Sequence, residues 1–296
     1  MPTKPPMPSG PKPVAAKPAR PKAASPAKAA VQKVTSGVVR GVVASQGERI
    51  GIYGSGGIGK TELAASLSNV GIEPLFIDLD QGSMGLDVAR SVSGDDQHLT
   101  RTFSEVRSVL QNHELILQFG AVVIDTFTTL EDRVRDHVIE TIPHEKGKPI
   151  KSIEDYGFGK GLSHVFDQSL LVLADLEAIC RLGVHVVVIC HQVSEKVPSV
   201  ESEDFLEYQP RLQSPGKTAK LRERMFEWCN HFFRVDFDRY VEGGKVATTN
   251  KRSINTVKTT TAWAKHRTMP NGNEFAATIP FDKGTYELWT TMFGGQ

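Results

Sequence analysis

Residues 50–64 read IGIYGSGGIGKTELA, in which Gly54, Gly59, Lys60 and Thr61 fit the pattern GxxxxGK[ST] of a phosphate-binding loop. The apolar residues before the loop are typical of a buried strand, and those after it favour a helix. Glycines at such a junction let successive backbone N–H groups point into one concavity that holds an anion. The segment therefore predicts a site for a nucleoside triphosphate with Mg²⁺.

Each residue type in the loop has a distinct predicted role. The Lys60 ammonium would reach the β and γ phosphates, and the Thr61 hydroxyl would ligate Mg²⁺. The residues predicted to contact the nucleotide are Gly54, Ser55, Gly56, Gly57, Ile58, Gly59, Lys60 and Thr61.

The same letters allow a second interpretation. Gly54, Gly56 and Gly59 also satisfy GxGxxG, and Asp78 and Asp80 end the next strand about where a dinucleotide-binding fold keeps its ribose acid. A dinucleotide site has no use for the Lys-Thr pair that follows, whereas a triphosphate with Mg²⁺ needs both residues. A glycine-rich turn that matches by chance is the remaining alternative.

Composition indicates a soluble globular protein. The chain has 296 residues with 39% hydrophobic content, enough to bury a sizeable core. It contains no apolar run of the roughly 18 to 20 residues that span a bilayer, and its first residues lack the apolar core of a signal peptide. Cys180, Cys190 and Cys229 show no CxxC spacing. We therefore expect no membrane contact, no zinc site and a reducing, cytoplasmic location.

The first part of the chain differs from the rest. Residues 1–47 hold eight Lys or Arg and no acid, and nine of the 17 prolines fall in residues 1–30. Such a segment cannot bury enough apolar surface to offset the entropy of ordering. We predict a disordered basic arm over 1–37, either a spacer or a contact to phosphates, and one ATPase domain over 38–296.

Polar side chains end three continuous apolar runs in the remainder. The runs lie in residues 73–80 (EPLFIDLD), 120–132 (GAVVIDTFTTLED) and 184–192 (VHVVVICHQ). Alternation of such runs with helical segments predicts a mainly parallel sheet covered on both faces, and ligands of such sheets bind at the strand carboxyl ends. The polar residues at these ends are Asp80, Asp125, His191 and Gln192.

Beyond residue 192 the pattern changes. Residues 193–217 predict a long polar loop, which in a compact domain is functional or disordered. A helix follows at 218–229, and then a β-rich end that includes predicted strands at 257–265 and 285–291.

The order of five motifs resembles the RecA-type recombinase ATPases, and more closely the related phage-encoded nucleotide-binding family, some members of which anneal single strands. The resemblance covers about residues 38–290. The motifs that carry it are GSGGIGKT, LFIDLDQG, VVIDTFTTLED, IEDYGFGKG before a long helix, and VVVICHQ followed by a loop and AKHR.

The resemblance implies roles for the strand-end residues. Asp125 would support the metal together with Thr61. Asp80 falls where the family usually carries a Glu that orients the attacking water; because Asp is one methylene shorter, slow hydrolysis is expected. Gln192 falls where the family senses the γ-phosphate, with His191 as the second candidate.

The resemblance also implies partners. Lys265 and Arg267 fall where RecA-like filaments donate cations into a neighbour's ATP site, which implies a homo-oligomer, a ring or filament, with ATP between subunits. It further implies recombination or annealing on single-stranded DNA, with a single-strand-binding protein as a possible partner, in the host cytoplasm if the chain is phage-encoded.

Two segments are candidates for contact with DNA. Residues 141–161 combine cations with aromatic residues between glycines, which suits backbone contact with base stacking, although inward packing of the aromatic residues is an equal alternative. Residues 193–217 are too acidic for a comfortable phosphate contact. The residues that carry the first candidate are Lys146, Lys148, Lys151, Tyr156, Phe158 and Lys160.

Two other functional classes share the phosphate-binding loop. Partition-type ATPases carry a signature Lys where this chain has Ser55, and prolines usually follow their third motif. P-loop kinases should add an arginine-rich lid, but between residues 140 and 217 the only arginines are Arg181 and Arg211. Both classes are less favoured than the recombination reading.

Overall fold

The structure is a computed structural model that describes residues 46–294, apart from 199–202, 216–217, 243–244, 270 and 283–286, together with residues 1 and 3. The chain divides into two units, 1–41 and 42–296. The predicted basic arm at 1–37 falls almost entirely outside the described residues, so it stays a prediction.

The elements of the second unit alternate as the sequence predicts. The strands are β1 (Arg49–Gly54), β2 (Pro74–Asp78), β3 (Ala89–Arg90), β4 (Val92–Ser93), β5 (His98–Leu99), β6 (Ala121–Asp125), β7 (His185–Val197), β8 (Phe205–Pro210), β9 (His231–Glu242), β10 (Lys245–Asn255) and β11 (Thr278–Phe281). The α-helices are α1 (Lys60–Ala65), α2 (Phe103–Gln111), α3 (His113–Ile116), α4 (Phe127–Thr141), α5 (Lys160–Arg181), α6 (Leu221–Trp228) and α7 (Glu287–Phe293), with 3₁₀ turns at Ser66–Val70 and Ile153–Tyr156.

One sheet organises the unit, with strands in the order β11-β10-β9-β1-β7-β6-β2-β3. The strands from β9 to β3 run parallel, whereas β10 and β11 add antiparallel strands at one edge. Gly54 lies opposite His191 across β1 and β7, and Asp78 lies opposite Asp125 across β2 and β6. The phosphate-binding loop and the strand-end polar residues therefore meet at one edge of the sheet.

Buried side chains cover both faces of the sheet. In β7, Val186 and Val188 pack with α2, α4, α5 and α6, whereas Val187 and Ile189 pack with α1 and α7 on the other face. This alternation is why the strand reads as a continuous apolar run. Because both faces are buried, the strand ends that carry polar residues are rigidly placed.

The C-terminal part corrects two strand predictions. The segment predicted as a strand at 285–291 is α7, in which Leu288, Trp289, Met292 and Phe293 are buried at helical spacing. The indole of Trp289 donates a hydrogen bond to the Leu63 carbonyl at 2.8 Å. Within residues 257–265 the structure has isolated bridges in place of the predicted strand.

The predicted fold class is confirmed: an α/β RecA-like P-loop NTPase with a mainly parallel sheet, helices on both faces and a β-rich C-terminal extension. Among the described helices, none is long and apolar enough to cross a membrane.

Candidate functional site

The phosphate-binding loop connects β1 to α1 with its backbone in a strained shape that glycine tolerates. Gly57 has φ 72° and Gly59 has φ 97°, both in the left-handed region. Lys60 is 6% exposed, and its Nζ donates to the carbonyls of Gly54 at 3.1 Å and Ser55 at 2.8 Å. Burial lowers the pKa of Lys60, and the Asp125 carboxylate opposes that effect. The loop thus presents a partly desolvated cation.

A cleft of about 530 Å³ opens beside the loop. Its volume is within the range of small-molecule sites. The lining residues are Gly57, Gly59, Lys60, Thr61, Glu62, Asp80, Gly82, Gly85, Leu86, Asp125, Thr126 and His191.

The predicted metal ligands lie together at this cleft. The Thr61 hydroxyl donates a hydrogen bond to Asp125 Oδ2 at 2.7 Å, and Asp125 is 2% exposed at the end of β6. Burial, together with the carboxylates of Asp78 and Asp80, raises the pKa of Asp125 to about 6, although the Thr61 bond opposes the rise. Asp125 thus lies near two other carboxylates, and the charge of Lys60 offsets them only in part. Such an excess of negative charge favours binding of a cation.

The donor set fits Mg²⁺. A hydroxyl and a carboxylate are the oxygen ligands that this ion takes from a protein, with phosphate and water completing its shell. Thr61 and Asp125 would hold it. Within the described ranges no group of three or more His, Cys, Asp or Glu side chains is placed to hold a metal ion.

Asp80 faces the cleft and is held from two sides. Its Oδ2 accepts a hydrogen bond from the Thr126 hydroxyl at 3.1 Å and lies 3.1 Å from His191 Nε2. Burial alone would raise the pKa of Asp80, but hydrogen bonds from His191, Thr129 and Thr126 hold it below the usual value. Asp80 is therefore a charged carboxylate at the position predicted for the water-orienting acid.

Asp78, two residues earlier, has a different task. It is 3% exposed, and its carboxylate accepts hydrogen bonds from the Gly82 N–H at 3.1 Å, the Ser83 N–H at 2.9 Å and the Ser83 hydroxyl. These bonds fold the turn after β2 and aim Asp80 into the cleft.

The structure separates the two candidates for the γ-phosphate sensor. His191 lines the cleft, whereas the Gln192 side-chain carbonyl accepts a hydrogen bond from Arg234 on β9 at 2.9 Å. Neighbouring residues of a strand point to opposite sides, so only one of the pair can face Asp80. His191 occupies that position, and Gln192 does not line the cleft.

Lys265 and Arg267 lie away from this chain's own cleft. The Lys265 ammonium is 4.8 Å from the Phe226 ring centroid, and its Nζ donates to the Glu227 carbonyl at 3.3 Å. Arg267 lines a separate cleft with Arg49, the residue that begins β1, whereas the phosphate-binding loop follows the other end of that strand. The structure does not bring these two cations to the loop of their own chain.

The first candidate DNA segment contains one inward and one outward aromatic residue. Tyr156 is 5% exposed, and its hydroxyl lies 2.8 Å from the Val138 carbonyl and 2.6 Å from the Ile142 carbonyl. Phe158 is 105% exposed, with φ 49°. Inward packing thus holds for Tyr156, whereas Phe158 is available for stacking.

The prediction of a long polar loop at 193–217 is wrong for residues 193–197 and 205–210, which form strands. β7 continues to Val197 and pairs with the antiparallel strand β8 to form a hairpin. The acidic Glu195 is paired with the buried Arg222, at 2.7 and 2.8 Å. The hairpin is therefore built of ordered strands.

Three side chains at the site were not predicted. Thr126 and Thr129 bind Asp80, and Thr126 also caps α4 through the Thr129 N–H. Because both threonines closely follow the strand that ends at Asp125, their position could have indicated that they lie at the site. Arg252 of β10 donates a hydrogen bond to the Ile58 carbonyl of the phosphate-binding loop, and nothing near position 252 in the sequence indicates this.

A known protein family covers most of this chain. The family described as an AAA domain matches residues 46–268. No curated protein matches. Among solved structures, a KaiC-like protein from the hyperthermophilic archaeon Pyrococcus horikoshii OT3 is similar, with a TM-score of 0.39 and 12% identity over 80% of this chain and 91% of that one.

Proposed function

Because this chain belongs to the AAA-domain family, we propose that it binds ATP with Mg²⁺ and hydrolyses the ATP slowly while acting on single-stranded DNA as an oligomer. The process would be recombination or strand annealing of the phage type. One observation carries the ATPase part: Lys60, Thr61, Asp80, Asp125 and His191 converge on a single cleft.

The positions of these residues suit different roles in the binding and hydrolysis of ATP. Lys60 binds the phosphates and neutralises their charge. Asp80 orients the attacking water, and His191 and Thr126 hold the Asp80 carboxylate in place. When bound, Mg²⁺ would neutralise charge on the β and γ phosphates.

Two features favour slow turnover. The Asp80 side chain is one methylene shorter than the Glu that RecA-like ATPases usually carry at this position, so its carboxylate reaches less far toward a water molecule. Its Oδ2 also already accepts hydrogen bonds from neighbouring side chains. Because positioning controls the rate of phosphoryl transfer, both features should reduce the rate.

The support for single-stranded DNA as partner is the surface around Phe158. An exposed ring can stack on any base, and Lys146 and Lys148 are exposed in the same segment. Lys160 is paired with Glu145 at 2.6 Å, so it contributes less positive charge.

The support for an oligomer is the placement of Lys265 and Arg267. Two cations that do not reach their own phosphate-binding loop suit donation to the site of a second copy. A single-strand-binding protein remains a further candidate partner.

The decisive experiment measures ATP hydrolysis by the purified chain with and without single-stranded DNA, alongside annealing of complementary oligonucleotides. We expect DNA to stimulate a slow basal rate. Lys60→Ala should lower hydrolysis about a hundredfold, since a hydrogen bond to a charged group contributes roughly 1.5–3 kcal/mol. No DNA binding, stimulation or annealing by the wild type would reject the DNA part of the proposal.

Mixing two inactive variants tests the oligomer within the same assay. Lys60→Ala lacks its own phosphate contact but keeps Arg267, whereas Arg267→Ala has the reverse defect. If cations are donated between copies, an equimolar mixture recovers part of the wild-type rate. A mixture as inactive as its components would exclude donation by Arg267.

Phe158→Ala should weaken single-stranded DNA binding about tenfold, since stacking on an aromatic ring contributes roughly 1–3 kcal/mol per base. Fluorescence anisotropy of a labelled oligonucleotide measures this. Because Phe158 is fully exposed, the midpoint of thermal unfolding should not change. Tyr156→Phe is the matched control: it should reduce stability and leave DNA affinity intact. Equal DNA affinity of the wild type, Phe158→Ala and Tyr156→Phe would show that Phe158 does not contact DNA.

A further inference from the structure

Arg252 connects the C-terminal extension to the phosphate-binding loop. Its Nη1 donates to the Ile58 carbonyl at 3.1 Å and lies 3.0 Å from Glu62 Oε2. The side chain is 16% exposed. A cation from β10, in the antiparallel part of the sheet, therefore holds the loop without itself lining the cleft.

Two features of β10 and its neighbours orient the Arg252 side chain. The pairing of β10 with β9 shifts register between Thr248 and Arg252, and such irregularities re-aim the residues beside them. Phe281 lies opposite Arg252 on β11, with its ring centroid 4.2 Å from the guanidinium. Stacking on an aromatic face fixes the guanidinium plane.

The contact with Ile58 sets the direction of a neighbouring donor. In a trans peptide the carbonyl and the following N–H point in opposite directions. Because Arg252 holds the Ile58 carbonyl on its own side, the Gly59 N–H is turned the other way, and Gly59 lines the cleft. The arginine thereby presets one of the N–H groups that would bind phosphate.

Arg252 has a second electrostatic effect. Glu62 also lines the cleft, and an unpaired carboxylate there would repel a triphosphate. The ion pair at 3.0 Å neutralises Glu62. Both effects strengthen binding of an anion without any contact between Arg252 and the anion.

We propose that Arg252 is a positioning residue for phosphate binding, through which the C-terminal strands β10 and β11 set the nucleotide affinity. This inference rests on the proposed binding of ATP. It assigns a role in binding, so it predicts a change in affinity with little change in the rate of the bound complex.

Arg252→Ala should raise the dissociation constant for ADP and the KM for ATP about tenfold, with kcat within about twofold of wild type. Arg252→Lys, which keeps the charge and a donor but cannot stack as a plane, should be intermediate. Lys251→Ala, an exposed neighbour on the same strand, is the matched control and should match wild type. Titration with a fluorescent ADP analogue and steady-state kinetics give these values.

Two measurements separate positioning from folding. The midpoint of thermal unfolding shows whether each variant is folded, and amide exchange of the peptide over residues 54–61 should rise in the nucleotide-free Arg252 variants. Glu62→Gln combined with Arg252→Ala should recover part of the affinity, because it removes the exposed carboxylate.

Wild-type affinity for ADP in both Arg252 variants would overturn the inference, as would equal losses of kcat and affinity. If the wild type itself binds no ADP or ATP, the proposed function fails instead. The two failures are therefore distinguishable.

Discussion

Gly59→Ala is expected to destabilise the protein by about 2–4 kcal/mol and to weaken nucleotide binding at least tenfold. Gly59 has φ 97°, where a side chain costs roughly 1–3 kcal/mol. A Cβ built there would lie 2.1 Å from Arg252 Nη1, so the guanidinium must leave its place. Its hydrogen bonds to the Ile58 carbonyl and Glu62 would be lost as well. Urea unfolding and ADP titration measure both effects.

The neighbouring glycines are graded controls for stability. Alanine at Gly57 would adopt φ 72° in open space, so only the backbone strain applies, about 1 kcal/mol. At Gly56 a Cβ meets nothing within 4 Å, and stability should not change. Equal destabilisation by all three substitutions would contradict the role assigned to the contact with Arg252.

Asp125→Asn is expected to stabilise the nucleotide-free protein at pH 8 by up to about 3 kcal/mol while abolishing Mg²⁺-dependent hydrolysis. Burial in the folded protein raises the pKa of Asp125 to about 6 from its ordinary value of 3.8. The folded state therefore holds this proton more tightly than the unfolded chain does. Stability falls as pH rises from about 4 to 6, at about 1.4 kcal/mol per unit of difference. Asparagine carries no charge, so it escapes this penalty.

Urea unfolding at pH 8 and pH 4 gives the test, without Mg²⁺ or nucleotide. The gain should be present at pH 8 and absent at pH 4. Asp78→Asn is the matched control at the paired position of β2, and it should destabilise at pH 8, because Asp78 accepts several hydrogen bonds. A loss of stability for Asp125→Asn at both pH values would refute the argument.

The parallel core of the fold was predictable because its strands are buried on both faces. Runs such as PLFID in β2 and AVVID in β6 cannot be mistaken for half-exposed strands, and an acid ends each of them. The sequence thus predicted both the strands and the edge at which their polar ends meet.

Elements outside that core depend on partners that are distant in sequence. The outer half of β7 is polar, and its hydrogen bonds come from β8, so a local pattern indicates a loop. In α7, aromatic and β-branched residues favour a strand, but burial of Trp289 against Leu63 stabilises a helix. The helical spacing of its apolar residues could have predicted the helix, but the strand propensity of the same residues led to the opposite prediction.

The site was predictable where a motif fixes the residue, as for Lys60 and Thr61. The choice between His191 and Gln192 required the exact phase of β7, because neighbouring residues of a strand face opposite sides. Arg252 lies 190 residues from Glu62 in the chain. No local pattern could connect them.

Strand β7 has one more consequence, a mechanical one. It runs without a break for 13 residues from His185 to Val197, first between β1 and β6 and then beside β8. At roughly 3.3 Å per residue, that is a stiff rod of about 40 Å. With both halves hydrogen-bonded there is no hinge between His191 and the hairpin. A change of angle imposed on β7 at the cleft would therefore be carried along the strand to Val197.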